Sequence, residues 1–184
     1  MGSDSGLGKK EGEREDLSLF LEARAWVTGE NLSWIPWQWT ESPDFVCVRA
    51  DGQRVGVELT KVTVDHDAAM WDRTRYGRVR IDASVTLETI YSLIGRKEKA
   101  RTERYTERVK DNILALQLVH GSLDQVAYAF DGLEAAFACH GFVEVWLADH
   151  SGLEAYGDVE LFGLYPGQWW GPHSRPGPGR KPYG

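Results

Sequence analysis

Apolar side chains recur at helical spacing near the start of the chain. From residue 14 onward they come at steps of three and four residues, at Leu17, Phe20, Leu21, Ala25 and Val27. This spacing predicts an amphipathic helix that ends near Gly29. The preceding residues, 1–13, are mostly Gly, Ser and charged residues, which cannot bury enough apolar surface to fold. The sequence therefore predicts a disordered N-terminal segment there.

A longer stripe of the same period occupies the middle of the chain, at Leu87, Ile90, Tyr91, Ile94, Arg101, Tyr105, Val109 and Ile113. It predicts a long second helix. Two apolar runs follow, ILALQLV at 113–119 and FVEVWLA at 142–148, and both predict strands. The first run is apolar enough for a buried central strand. A third helix, interrupted at Asp131-Gly132, is predicted between them, over 123–140.

The remaining segments predict the edges of a sheet. WIPWQW, at 34–39, is expected to be an extended edge segment, because Pro36 cannot donate a ladder hydrogen bond. Residues 161–165 are expected to form the last edge strand, and the basic, Pro- and Gly-rich residues 166–184 an irregular tail. The order helix, hairpin, helix, strand, helix, strand predicts one α/β domain over 14–165, with a mixed central β-sheet flanked by helices.

The hairpin in this order is predicted within SPDFVCVRADGQRVGVELTKV, 42–62, and carries an acid near the outer end of each strand, Asp44 and Glu58. A two-residue loop at Asp51-Gly52 places the two acids on opposite faces of the sheet and gathers four valines on one face. A three-residue loop, with Gly52 in the left-handed conformation, places Asp44 directly opposite Glu58. The sequence leaves both registers open.

Composition and charge narrow the class of protein. The 184 residues are 42% hydrophobic and 11% aromatic, which is enough for a core. The net charge of -7 argues against a nucleic-acid partner, but residues 73–110 hold eleven Lys or Arg against five acids. That basic segment either binds a polyanion or is a solvated charged surface.

Nothing in the sequence predicts a membrane span or an apolar leader, because no apolar run approaches about 18 residues. Cys47 and Cys139 form neither a disulfide framework nor a CxxC clip, so we expect both to be buried apolar side chains. These features predict a cytoplasmic protein.

The acids of the hairpin are candidate metal ligands. Two carboxylates on one face raise one another's pKa unless a cation lies between them, and Mg²⁺ binds one or two carboxylates with waters and phosphate oxygens. Lys97 interrupts the apolar stripe of the long helix, and a lysine on a buried face is costly unless it is paired. Lys61, three residues after Glu58, is expected on the opposite face. The plain alternatives are two separately solvated acids and a lysine that extends to water.

Here the residues resemble a family. Pro43-Asp44, a glycine-containing turn and Val57-Glu58-Leu59-Thr60 resemble the core of the PD-(D/E)XK nuclease superfamily, whose signature is Asp, then Glu or Asp, any residue, and Lys. Thr60 stands where the lysine is expected. Lys97 resembles the lysine that many members carry on the following helix instead.

The resemblance implies a restriction-endonuclease-like core and hydrolysis of phosphodiester bonds in nucleic acid with Mg²⁺ or Mn²⁺. We expect DNA ahead of RNA as the substrate, and the sequence leaves both open. Asp44, Glu58 and the Leu59 carbonyl would hold the metal, and Lys97 would orient the attacking water. Glu22 resembles the additional acid that some members contribute from the first helix, and Glu15 is its rival. The side chains that would contact nucleic acid are Arg73, Arg75, Arg78, Arg80, Arg101, Tyr105, Arg175, Arg180 and Lys181. A homodimer is compatible with one small domain.

Other interpretations compete with a nuclease. The same fold with an inactive site would be a module that binds nucleic acid or a protein. The tail WWGPHSRPGPGRKPYG, at 169–184, has weak polyproline character and is a second candidate for protein binding. WIPWQW is a candidate base-stacking platform. Asp65-His66-Asp67 is a candidate transition-metal site, although a polar turn accounts for it better because no HxxxH or Cys/His pair accompanies it.

Overall fold

The computed structural model describes residues 4–36, 43–63, 81–104, 109–118, 121–138, 141–153 and 157–175. Within these ranges the helices are α1 (Asp4–Thr28), α2 (Ala83–Arg104) and α3 (Leu123–Val126). The strands are β1 (Ser33–Trp34), β2 (Phe45–Val48), β3 (Arg54–Val62), β4 (Asp111–Leu118), β5 (Glu144–Asp149), β6 (Glu160–Tyr165) and β7 (Gly171–His173). None of the described helices is long and apolar enough to cross a membrane.

The seven described strands form one sheet, in which they lie in the order of the sequence. β1, β2 and β3 pair antiparallel, β3, β4 and β5 pair parallel, and β5, β6 and β7 pair antiparallel. The parallel step from β3 to β4 needs a long crossover, and α2 lies in that connection. The predicted α/β class and mixed central sheet are confirmed.

Each face of the sheet is covered by one long helix. Phe20 of α1 belongs to the same buried cluster as Val57 of β3 and Ile113 of β4. Ile94 of α2 belongs to a second cluster with Leu114 of β4. Adjacent strand residues point to opposite faces, so β4 is buried on both, which is why its sequence is apolar almost throughout.

The hairpin of β2 and β3 has the three-residue loop. The Arg49 N–H donates to the Gln53 carbonyl at 2.9 Å, and Gly52, at a φ of 86°, closes the turn. Phe45 then pairs with Val57. One step beyond this pair, Asp44 lies opposite Glu58 rather than on the other face of the sheet.

Three predicted segments differ from the structure. α1 begins at Asp4, inside the segment 1–13 that is expected from the sequence to be disordered. Lys and Glu, which are good helix formers, are frequent between Asp4 and Glu13 and extend the helix beyond its apolar stripe. The predicted helix over 123–140 is instead α3 followed by the 3-10 helices Ala127–Phe130 and Glu134–Phe137, which are separated where Gly132 has a φ of 73°. Residues 139 and 140 lie outside the described ranges.

The C-terminal segment is also more regular than predicted. After β6 the chain forms the 3-10 helix Gly167–Trp169 and then β7, which pairs with β6 through Leu161 and His173. β6 is therefore not the edge strand. A strand of three residues that includes a proline is too short for an alternating pattern to reveal.

Candidate functional site

A gap in the strand pairing creates the cavity that contains the candidate site. β2 begins at Phe45, opposite Val57, whereas β3 continues to Val62. Residues 58–62 of β3 are therefore paired with β4 but not with β2. A cavity of about 590 Å³ lies there, with Asp44 and Lys97 among its lining residues.

Asp44 is held at the start of β2 by the neighbouring strand. The Leu59 N–H donates to its Oδ2 at 2.9 Å. The pKa of Asp44 is raised to about 6, first by burial and then by the nearby charge of Glu58, while the Leu59 N–H and the Lys97 ammonium oppose both effects. Asp44 is therefore a carboxylate that is costly to ionise and that gains from a bound cation.

Glu58 and Lys97 form an ion pair across the space between β3 and α2. Lys97 Nζ donates to Glu58 Oε1, and the Glu58 side chain is only 6% exposed. Lys97 follows Ile94 by one helical turn, so the helix face that packs against the sheet also directs Lys97 toward β3. The structure thus brings Asp44, Glu58 and Lys97 together, on the α2 side of the hairpin.

Thr60 lies two residues after Glu58 and shares its face of β3. Its hydroxyl Oγ1 is buried and has no hydrogen-bond partner within the described part of the chain. A hydroxyl carries no charge and reaches less far than lysine, so Thr60 cannot supply the ammonium itself. Lys97 is the lysine that contacts Glu58 instead.

The structure places the two acids proposed for the first helix differently. Glu22 is 65% exposed, and its Oε1 accepts from the Arg175 guanidinium at 2.8 Å, away from the lining of the cavity. Glu15 does line the cavity, as does Glu13, whose charge contributes to the raised pKa of Asp44. Glu13 is the α1 acid whose charge acts on Asp44, and nothing in the spacing of the sequence distinguishes it from its neighbours.

The basic side chains expected to contact nucleic acid are only partly described. Arg101 pairs with Glu98 on α2 at 2.9 Å, and Arg175 pairs with Glu22. Arg73, Arg75, Arg78, Arg80, Tyr105, Arg180 and Lys181 lie outside the described residues, as do Asp65, His66 and Asp67.

Sequence reasoning missed the polar side chains on the α1 side of the cavity. Lys61 was expected on the face opposite Glu58, and it lines the cavity from there together with Asp16 and Gln117. Gln117 is a polar side chain within the apolar run that forms most of β4. Its position at the carboxyl end of a parallel strand is the signal that could have drawn attention to it, since open α/β sheets bind ligands at that edge.

The donor set fits Mg²⁺ better than a transition metal. Among the described residues there is no group of three or more His, Cys, Asp or Glu side chains that could hold a metal. Asp44 and Glu58 supply two carboxylates, and Mg²⁺ takes that number and completes its shell with water and phosphate. Leu59 can add a carbonyl, because the N–H and C=O of a strand residue face the same edge and its N–H faces Asp44.

Replacing Asp44 by asparagine should stabilise the protein above about pH 6. The folded pKa, about 6, lies above the ordinary value of 3.8, so the folded protein retains a proton that the unfolded chain releases between these values. The stability from that proton is present at low pH and is lost as the pH rises through about 6. We expect Asp44→Asn to gain about 1–3 kcal/mol near pH 8 in urea unfolding.

The control for this change is Asp51→Asn. Asp51 also accepts a backbone N–H, from Gln53 at 2.9 Å, but it lies in the exposed turn. Its replacement should leave the stability nearly unchanged at both ends of the pH range. If Asp44→Asn raises the free energy of unfolding equally near pH 4 and pH 8, the ionised Asp44 carboxylate is not what destabilises the folded protein at high pH.

Comparisons with known proteins found no matching family model, no matching curated protein and no matching solved structure.

Proposed function

We propose that this protein is a Mg²⁺-dependent nuclease, a variant of the PD-(D/E)XK type in which the lysine is supplied by the helix after the hairpin. The observation that carries the proposal is the grouping of three ionisable side chains: Lys97 contacts Glu58, and the charges of both act on the pKa of Asp44. Asp44 precedes β2, Glu58 lies on β3, and Lys97 reaches Glu58 from α2. Burying charge in this way is costly for stability, which favours a functional origin.

The order of elements supports the same proposal. A helix precedes an antiparallel hairpin, a second helix follows it, and the next strand pairs parallel to the second strand of the hairpin. This is the order expected of a restriction-endonuclease-like core. The same order continues with α3 and β5, and the additional strands β6 and β7 extend the sheet beyond β5.

In the proposed mechanism, Asp44, Glu58 and the Leu59 carbonyl hold the metal. A bound Mg²⁺ or Mn²⁺ supplies polarisation of the scissile phosphate and a lowered pKa of the attacking water. Lys97 has three N–H donors and gives one to Glu58, which leaves two for the water and a phosphate oxygen. Its fixed charge, inside a partly buried cavity, stabilises the negative charge that develops on the phosphate.

The charge of the cavity is compatible with a polyanionic substrate only when a cation is bound. The acids on its lining, which include Asp44, Glu13, Glu15 and Asp16, exceed the two lysines, Lys61 and Lys97. Phosphates would be repelled without a metal, so cleavage and tight binding should both depend on a divalent ion. DNA is the substrate class that we propose, ahead of RNA.

A second candidate function has an observation in its favour. Thr60 occupies the position of the expected lysine, and Lys97 is already bound to Glu58. A module with this fold that binds nucleic acid or a protein without cleaving it would tolerate both features. The two functions make different predictions about metal. The nuclease needs a metal bound by Asp44 and Glu58, whereas the inactive module binds its partner without one.

The proposal is tested by titrating Mg²⁺ and Mn²⁺ into the protein by calorimetry, alone and with a short DNA duplex. Glu58→Gln should abolish metal binding and divalent-dependent cleavage while the circular dichroism spectrum is unchanged. Affinity of the unmodified protein should fall about tenfold for each pH unit below about 6, because Asp44 must lose its proton to bind a cation.

The matched control is Glu88→Gln, which removes an exposed acid of α2. It should bind metal and cleave as the unmodified protein does. Divalent-dependent cleavage that persists in Glu58→Gln would refute the proposed site. DNA binding that survives Glu58→Gln, with no cleavage by either protein, would favour the inactive module.

A further inference from the structure

A row of polar side chains crosses the carboxyl ends of the three parallel strands, on the α1 side of the sheet. Lys61 of β3 is in register with Gln117 of β4. His150 directly follows β5. Its backbone N–H donates to the Leu118 carbonyl at 3.3 Å, which continues the hydrogen bonding between β4 and β5. Asp16 of α1 covers the row. Lys61, Gln117 and Asp16 line the cavity that also contains Asp44 and Lys97.

The orientation of the Gln117 amide in this structure assigns the tautomer of His150. Its Nε2 lies 3.4 Å from the amide nitrogen of Gln117, and its Nδ1 lies 3.8 Å from Asp16 Oδ1. An amide nitrogen can only donate, so Nε2 must accept. The proton of the neutral ring is then on Nδ1, facing the Asp16 carboxylate.

This arrangement determines which end of the Gln117 amide is available. Its nitrogen faces His150, and its oxygen has no hydrogen bond to any described residue. Gln117 therefore presents an acceptor to the cavity. Protonation of Nε2 would turn His150 into a donor, and the amide would have to rotate by about half a turn to offer its oxygen to the ring. The NH₂ group would then face the cavity.

We propose that Gln117 positions the substrate in the cavity, and that His150 sets whether its amide offers an acceptor or a donor. The proposal rests on the proposed function for the identity of the ligand, a phosphodiester of nucleic acid. Phosphate oxygens accept hydrogen bonds and do not donate them. The donor form, with His150 protonated, is therefore the form of Gln117 that binds a phosphate directly.

The surroundings of His150 favour the neutral form of its ring near neutral pH. Burial lowers the pKa of His150, the charges of Asp16 and Asp149 oppose that effect, and Lys61 lowers the pKa again. Asp149 is fixed in place, since its carboxylate accepts the Leu123 N–H at 2.8 Å and the Ser151 N–H at 2.7 Å. The described groups that face the ring are thus Asp16 from α1, Asp149 from its own strand, Lys61 from β3 and Gln117 from β4.

The first part of the test is nuclear magnetic resonance of the imidazole nitrogens and needs no substrate. Near pH 8 we expect His150 to carry its proton on Nδ1. His173 is the internal control, because its Nε2 lies 2.8 Å from the Trp169 carbonyl and must carry the proton itself when the ring is neutral. A His150 ring protonated on Nε2 near pH 8 would overturn the proposed polarity.

The second part measures binding of dimethyl phosphate, a phosphodiester with no P–OH group, without metal, in the unmodified protein and in Gln117→Met. Both proteins contain Asp44, so the effect of its protonation on anion binding is common to them. Between about pH 8 and pH 5 we expect affinity to rise roughly tenfold more in the unmodified protein, the worth of one hydrogen bond to a charged group. An equal rise in both proteins, or no binding of dimethyl phosphate in either, would overturn the positioning role.

Failure of the proposed function is a separate result. It would appear as a lack of divalent-dependent cleavage while the His150 tautomer and the difference in affinity for dimethyl phosphate remain as expected. If cleavage does occur, Gln117→Met should raise KM for DNA with little change in kcat, and should flatten the acid side of the pH profile of kcat/KM. Loss of kcat with unchanged KM would point to a catalytic role instead.

Discussion

Under the proposed nuclease function, replacing Lys97 by methionine is expected to reduce divalent-dependent cleavage by about 10²–10³-fold while the protein remains folded. The Lys97 ammonium contacts Glu58 and lines the cavity where, under the proposed function, a phosphate would lie. Methionine keeps the length of the side chain and removes the charge. Initial rates on a labelled DNA duplex, at saturating Mg²⁺, measure the effect.

Lys99→Met is the matched control for this change. Lys99 lies two residues further along α2, is 76% exposed and faces Glu103 at 4.0 Å. Such a surface pair contributes little, so both cleavage and stability should be close to those of the unmodified protein. If Lys99→Met reduces activity as much as Lys97→Met does, the loss comes from the net charge of α2 and not from the contact of Lys97 with Glu58.

Loss of Lys97 also has a structural effect that must be separated from catalysis. Glu58 would remain buried beside Asp44 without the Lys97 ammonium that contacts it, so Lys97→Met alone should be destabilised. The double variant Lys97→Met with Glu58→Gln removes both charges and should recover stability without recovering cleavage. Recovery of both would show that Lys97 is a structural residue.

The parts of the fold that could be predicted are elements with a simple burial pattern: strands buried on both faces, and helices buried on one face. The apolar run at 113–119 gave a central strand because β4 is covered on both faces, and FVEVWLA gave β5 for the same reason. The stripe of α2 was visible because a helix on a sheet buries one side only. These signals are local, and the sheet class follows from their order.

The hairpin register could not be predicted, for a physical reason. The strands of the hairpin are covered on both faces, so Val46 and Cys47, which point in opposite directions, are both buried. The two-residue alternation that would identify the core face is therefore missing. The register depends on the loop, and Asp51-Gly52 is compatible with loops of two and of three residues.

Positions along α1 were equally undetermined. Periodicity shows which face of a helix is buried, but not which turn lies next to a cavity built by distant strands. Glu22 and Glu15 were selected by their place in the sequence, whereas the structure places Glu13 and Glu15 at the cavity and Glu22 beside Arg175. Gln117 and His150 meet across two parallel strands, a contact that exists only once the strand order is known.

Replacing Arg24 by methionine is expected to cause the largest loss of stability, about 3–5 kcal/mol. Arg24 of α1 is 1% exposed and donates twice to Glu144 of β5, from Nε at 2.7 Å and from a terminal nitrogen at 2.5 Å. Glu30 accepts from the same guanidinium at 2.7 Å, and the Trp146 indole N–H donates to Glu144 at 2.7 Å. Methionine fills the space but leaves the Glu144 carboxylate buried without a countercharge.

Urea unfolding near pH 7 measures this loss, with Arg96→Met, an exposed arginine of α2, as the control expected to lie within about 0.5 kcal/mol of the unmodified protein. The double variant Arg24→Met with Glu144→Gln should be more stable than Arg24→Met alone. Glutamine is neutral, and its amide oxygen still accepts from the Trp146 indole N–H. Glu144→Gln removes the cost of burying an unpaired carboxylate. If the double variant is no more stable than Arg24→Met, the loss of stability therefore comes from altered packing against α1 and not from the unpaired charge.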